Sequence, residues 1–331
     1  EPYGGTMQDP WRYNDDWKDD QGKIRDTQVD EDPADGKDND GDGLIDEDTP
    51  ETISKWGCAL TSATMIVSYH GSQQNGFTTT PRDLNAWLKA NDGYSHGLII
   101  WSAVARYAIA NGVQLYYYSN SGGEPDDGVV NTYLCNACPI VLYTTVAPYN
   151  HSHYVVATGQ ADSNNWNIND PGGYNLTQLS SSSYGSYCKY ADDPTDPAAL
   201  YIAIHSPVKL LITDPAGRRS GYDPDTGEYV NEILDANYGV ESIGASDGTA
   251  SWVETLVFQT GAPLSGEYSV KLIGVDNGVY EVDFVAYDSD GDTGRESFTG
   301  LIVDNSIIEF SLTYSEEPGS QIIIVEQLTF T

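Results

Sequence analysis

Positive charge is scarce in this chain: 331 residues carry 15 Lys and Arg against 50 Asp and Glu, a formal net charge of −35. No basic cluster offsets that field, which repels nucleic-acid phosphates and anionic lipid headgroups, so nucleic acid is excluded as a partner. Long apolar runs are missing too, and no segment reads as a membrane insertion. There are only 4 cysteines and 5 histidines. One C-x2-C pair, CNAC at 135–138, has no second pair to complete a four-ligand zinc site. The chain opens at Glu1 with no basic stretch followed by an apolar one. That fits a mature product whose leader has been removed, or a chain trimmed before expression.

What is present points outward. With 24 Tyr, 33 Gly, few Lys and several Asp-rich loops, the surface suits millimolar calcium outside cells, and the expected location is secreted, extracellular or at the cell surface. The apolar fraction of 39% supports real cores, and the length allows one large domain or two ordinary ones. A disulfide using two of Cys135, Cys138 and Cys188 is expected, with the pairing open. Cys58 stands in a different context.

Residues 1–55 are polar and Asp-rich, with too few large apolar residues for a core. At 56 the texture changes. ALTSATMIVSY places Leu60, Ala63, Ile66 and Val67 near one helical face, with Cys58 in the first turn. TTTPRDLNAWLKA at 78–90 reads as a second helix: Thr80 as cap, Pro81 at the first position, Asp83 in the first turn, then Leu84, Trp87 and Leu88. A third, 99–113, closes at Asn111-Gly112. VQLYYYS, PIVLYTTV, HYVVATGQ and NWNINDP then read as strands, so helices precede an antiparallel sheet and the class is α+β. DPTDPAA at 193–199 reads as a linker, with YIAIHSP as a last strand of the first domain. The expected domains are 1–205 and 206–331. The second is an all-β sandwich of about 120 residues, since short alternating segments are punctuated by Gly, Asp and Pro.

The insert at 30–50 holds D-x-D-x-D-G. Asp38, Asp40 and Asp42 put carboxylates at alternate positions before the Gly43 turn, and the Leu44 carbonyl adds an oxygen. Thr49 stands where an EF-hand needs Glu, so Asp46, Glu47 or Asp48 must complete the shell. The expected cofactor is calcium in a structural role; the plainer alternative is a solvated acidic linker. DSDGD at 288–292 and DPDTGE at 223–228 read first as turns with Asx caps, with calcium as the second reading. The adjacent Arg218 and Arg219 read as partners of nearby Asp.

At a helix N-terminus, backbone N–H groups and the helix dipole stabilise a thiolate, and Cys58 has that placement after Gly57. A nucleophile also needs a base and a group to hold the base. HSHYVVATG offers His151 and His153 on one face, and His153 opens the best alternating strand. NWNINDP ends in Asp170-Pro171, and a short hairpin at 159–166 would return that carboxylate beside the imidazole. Each member has a bland counterpart: an inert buried Cys, a core His, an Asp-Pro turn.

WGCALTSATMIVSYHG, TPRDLNAWLKANDGY, HYVVATG and WNINDP, in that order, resemble the C39-like branch of the papain-like cysteine peptidases. Over residues ~3–190 the resemblance implies a papain-like fold with helices packed on an antiparallel sheet. It also implies a Cys-His-Asp triad of Cys58, His153 and Asp170. QDPW at 8–11 resembles the family's upstream oxyanion element and nominates Gln8. The Asp-rich insert departs from the family by separating Gln8 from Cys58; a calcium loop there would clip the two to one site. The implied activity is thiol-dependent cleavage of a peptide or protein substrate. The same groups would also serve acyl or amide transfer. From another class comes a non-catalytic structural or binding protein on the same scaffold. Cell-surface or polysaccharide contact through the C-terminal domain fits either.

Overall fold

A computed structural model describes residues 57–95, 98–118, 127–136, 138–144, 153–171, 176–191, 197–205, 207–233, 236–243 and 253–328. Helices are few and antiparallel strands many, and the chain divides into two compact units, with the main changeover at 195–196 and residues 242–253 returning to the first.

The first unit opens on α1 (Cys58–Gln74). Its sequence pattern suggests one apolar face, yet every side chain from Leu60 to Val67 is buried, including Thr61, Ser62 and Thr64. A helix enclosed on all sides tolerates those hydroxyls only when they are bonded. Thr64 Oγ1 donates to the Leu60 carbonyl at 2.8 Å, Ser62 Oγ to that of Tyr154 at 3.2 Å, and Ser68 Oγ to that of Thr79 at 3.3 Å. Next come α2 (Pro81–Ala90) and α3 (Trp101–Ala110), with the small ribbon of β1 (Tyr94–Ser95) and β2 (Leu98–Ile99) between them. The local signals hold: the Thr80 side chain accepts from the Asp83 N–H at 3.1 Å, Pro81 is the first helical residue, and Gly112 turns the chain at φ 73°.

The sheet of this unit is antiparallel and six-stranded. It contains β3 (Tyr116–Tyr118), β4 (Ile140–Thr144), β5 (His153–Gln160), β6 (Asn165–Asn169), β7 (Gln178–Ser180) and β8 (Ser186–Ala191), in the spatial order β3-β8-β4-β5-β6-β7. The helix α4 (Asp127–Cys135) precedes β4, and its Val130 and Leu134 join Leu142, Val155, Trp166 and Ile168 of the sheet in one apolar cluster. Among the described residues no disulfide joins Cys135, Cys138 and Cys188. The register explains this. Cys188 stands opposite Val141 within the sheet and is buried, whereas Cys135 is exposed at the end of α4 and Cys138 Sγ donates to the Asn136 carbonyl at 3.6 Å.

The second unit is all strand. Its first, β9 (Ala199–His205), was expected to close the preceding domain but pairs with later strands instead. It is followed by β10 (Val208–Thr213), β11 (Arg219–Asp223), β12 (Glu228–Asn231), β13 (Ala236–Ile243), β14 (Val253–Thr260), β15 (Gly266–Gly274), β16 (Gly278–Tyr287), β17 (Thr293–Ile302), β18 (Ile307–Tyr314) and β19 (Ile323–Leu328). One sheet runs β12-β11-β10-β15-β18-β19 and the other β13-β14-β9-β16-β17. The continuous apolar run LYIAI becomes the central strand of its sheet, the place where a strand must be apolar on both faces. Side chains of both sheets enter one apolar cluster, and Phe284 of β16 meets Phe310 of β18 with ring centroids 5.5 Å apart. Among the described residues no helix is long and apolar enough to cross a membrane.

Gly71 is the position in α1 with least room: a Cβ there would lie 2.5 Å from the Phe77 carbonyl oxygen. Gly71→Ala is expected to lower stability by about 1–3 kcal/mol despite the better helix propensity of Ala. Urea unfolding checks this, and an unchanged or raised midpoint would mean the α1 terminus yields freely.

Candidate active site

Cys58 is the first residue of α1 and is half-buried. Gly57 before it gives no side-chain cap, and the first turn contains no acid. The first helical bond, Thr61 N–H to the Gly57 carbonyl at 2.8 Å, closes directly behind the thiol. The N–H groups of that turn therefore keep their partial positive charge for an anion at or near Sγ.

His153 opens β5 opposite Thr144 of β4 and is fully buried. A tight hairpin carries the chain into β6: the Ala161 N–H donates to the Asn165 carbonyl at 2.9 Å, and Asp162 Oδ1 accepts from the Asn164 N–H at 2.8 Å. A register shift between Ala157 and Gly159 bends the pair. Asp170 lies one residue past β6, at 1% exposure, and Pro171 stops the ladder there. Its Oδ1 sits 2.8 Å from His153 Nε2.

The thiol side meets the strand side through a tie that sequence reasoning did not find. Ser62, one turn after Cys58, donates to the Tyr154 carbonyl, next to His153. It locks the nucleophile helix against the imidazole's own strand. A buried Ser on a helix is the only local signal for such a bond, and it does not name the acceptor. Cys58 lies close enough to His153 to act on its ring. With Nε2 bonded to Asp170, Nδ1 is the ring nitrogen that remains for the sulfur.

Burial by itself drives the imidazole pKa down, because it disfavours the cation. The Asp170 hydrogen bond and the nearby Cys58 overcome it, and His153 is raised to about 9. At neutral pH the ring therefore holds its proton between a carboxylate and the sulfur. Such a cation beside a thiol favours the thiolate and can return the proton to a leaving group.

Three of the four sequence-nominated site residues, Cys58, His153 and Asp170, are thus brought together. Gln8 and the nominated calcium ligands Asp38, Asp40, Asp42, Leu44, Asp46 and Glu47 lie outside the described residues. So does His151, while His70 is buried in the last turns of α1, with its ring 5.3 Å from that of Tyr69.

Comparison with known families finds the Peptidase_C39 like family over residues 46–191. Residues 46–191 are similar to that family. The match begins beyond Asp38, Asp40 and Asp42, runs through Cys58, His153 and Asp170, and stops at the end of β8. The similarity is to a cysteine-peptidase-like family. No curated protein and no solved structure matches the chain significantly.

The raised His153 pKa has a signed consequence. A group protonated more tightly in the folded chain adds stability below its unfolded value near 6.5 and loses it as pH rises through about 9. The melting-temperature advantage of wild type over Asp170→Asn should be largest near pH 6, corresponding to up to roughly 3 kcal/mol, and should shrink toward pH 9.5. A gap that stays constant over this range would refute the buried imidazolium.

Proposed function

We propose that the chain is a secreted thiol-dependent peptidase acting on peptide or protein substrates. The observation that carries this reading is the His153 ring bonded by Asp170 at 2.8 Å beside the Cys58 thiol at a helix N-terminus, in a C39-like segment. Cys58 Sγ attacks the scissile carbonyl carbon as the C=O π pair moves to oxygen. The tetrahedral oxyanion faces the first-turn N–H groups of α1 and the Gln8 amide. Collapse breaks the C–N bond; His153 gives its proton to the departing amine and a thioester remains. Water then attacks that thioester, His153 takes the water's proton, and the sulfur leaves. Asp170 holds the ring in the orientation that points one nitrogen at sulfur throughout.

Around this centre the proposal adds two accessories. The loop with Asp38, Asp40, Asp42, the Leu44 carbonyl, Asp46 and Glu47 binds calcium structurally and returns Gln8 toward Cys58. The second unit serves as a β-sandwich that contacts the cell surface or a polysaccharide. Its support is the shared apolar cluster between two antiparallel sheets. Export agrees with the acidic, Lys-poor composition.

Iodoacetamide labelling of Cys58 against pH, in calcium, tests the centre. A thiolate-like rate that persists near pH 6 in wild type and disappears in His153→Ala is expected. Gln8→Ala should label like wild type yet cut turnover of a library-selected peptide by ~10²-fold. Labelling that tracks an ordinary thiol in wild type would refute the peptidase and leave the scaffold role.

A further inference from the structure

Three aspartates of the second unit each head a turn whose amides donate to one carboxylate oxygen, and they differ in what meets the other oxygen. Asp214 Oδ1 accepts from the N–H groups of Ala216 and Arg218 at 3.0 and 2.8 Å, and Oδ2 takes the Arg218 guanidinium at 2.6 Å. Asp223 Oδ1 accepts from the Asp225 N–H at 3.0 Å, and Oδ2 takes Arg219 at 2.7 Å. Asp288, between β16 and β17, repeats the first pattern: Oδ1 accepts from the N–H groups of Asp290 and Asp292 at 3.0 and 2.8 Å. Its residue is 0% exposed, and Oδ2 is buried with no hydrogen-bond partner. Where Asp214 has Arg four residues on, Asp288 has Asp292. The basic side chain of the adjoining strand, Arg295, is committed to Asp283 at 2.5 Å.

A buried carboxylate oxygen without a donor is costly, and two sibling turns answer it with a cation from the chain. We propose that the 288–292 turn answers it with calcium from solution. Oδ1 is held by the turn's own amides, which leaves the buried, donor-less Oδ2 as the anchoring ligand. Asp290 and Asp292 are exposed at alternate positions above it, and Gly291 turns between them at φ 84°. The Glu316 backbone carbonyl, which accepts from the Ser289 N–H at 3.0 Å, brings an exposed acidic residue alongside the turn. Among the described residues no three acidic side chains converge as they stand, so the exposed arms close when the ion arrives. An all-oxygen, mostly carboxylate set selects a hard cation, and its freedom to move suits calcium better than magnesium. Asp223 loses its weaker calcium reading by the same logic, since Arg219 already occupies it. The site is independent of the peptidase reading and separate from the Asp38–Asp46 loop.

The test uses the full chain carrying Asp38→Asn, Asp40→Asn and Asp42→Asn, titrated with calcium by calorimetry and melted in chelator and in ~5 mM calcium. One calcium equivalent should remain, with Tm raised by at least ~3 °C. Adding Asp290→Asn and Asp292→Asn, both exposed and keeping the Asp288 caps, should abolish both effects. Calcium binding lost with the Asp38–Asp42 changes alone, absent from wild type up to ~10 mM, or unchanged by the Asp290 and Asp292 changes overturns the proposal. Neither readout involves Cys58, so the outcome is separate from that of the labelling experiment.

Discussion

The bond between His153 and Asp170 is the constraint on which the rest of the first unit's site depends. A fully buried imidazole is driven toward neutrality by desolvation, and here that is the largest single influence on it. Only a carboxylate held at 2.8 Å, with the sulfur on the other side, reverses the outcome and keeps a proton in the interior. A buried cation is stable there only while both partners stay in place, so the elements carrying them must be rigid. The hairpin of β5 and β6 fixes the first partner through its ladder. The Ser62 bond to the strand backbone beside His153 fixes the second.

Much of this was legible from the residues. The Cys58 helix was visible because a Gly precedes an unbroken helical run, and Thr80, Pro81 and Asp83 mark α2 by local chemistry alone. The return of Asp170 to His153 followed from period-two alternation on both sides of a polar turn, since hairpin geometry is set by short-range rules. What escaped was non-local. That α1 is enclosed on all sides has no single-helix signature, because its buried Ser and Thr look like solvent positions until their acceptors are known. The same holds for β9: LYIAI is equally good as the last strand of one unit or the central strand of the next, and only pairing with β14 and β16 decides. The disulfide expectation failed because cysteine spacing carries no register, and the register puts Cys188 inside a sheet.

The chain's few cations explain where its acidity is tolerable. Arg218, Arg219 and Arg295 each close on an aspartate that is nearly or fully buried, and Lys209 lies 3.6 Å from the centroid of the Tyr222 ring. The three arginines sit where desolvation costs a carboxylate most, rather than in exposed ion pairs, which contribute little. With 50 acids to 15 bases, such an allocation runs out before the acids do. Exposed carboxylates are then left to water and salt, which screen them cheaply. A buried carboxylate has no such recourse. In an acidic protein a buried oxygen without a donor therefore reports an external cation as directly as a dense acidic stretch does.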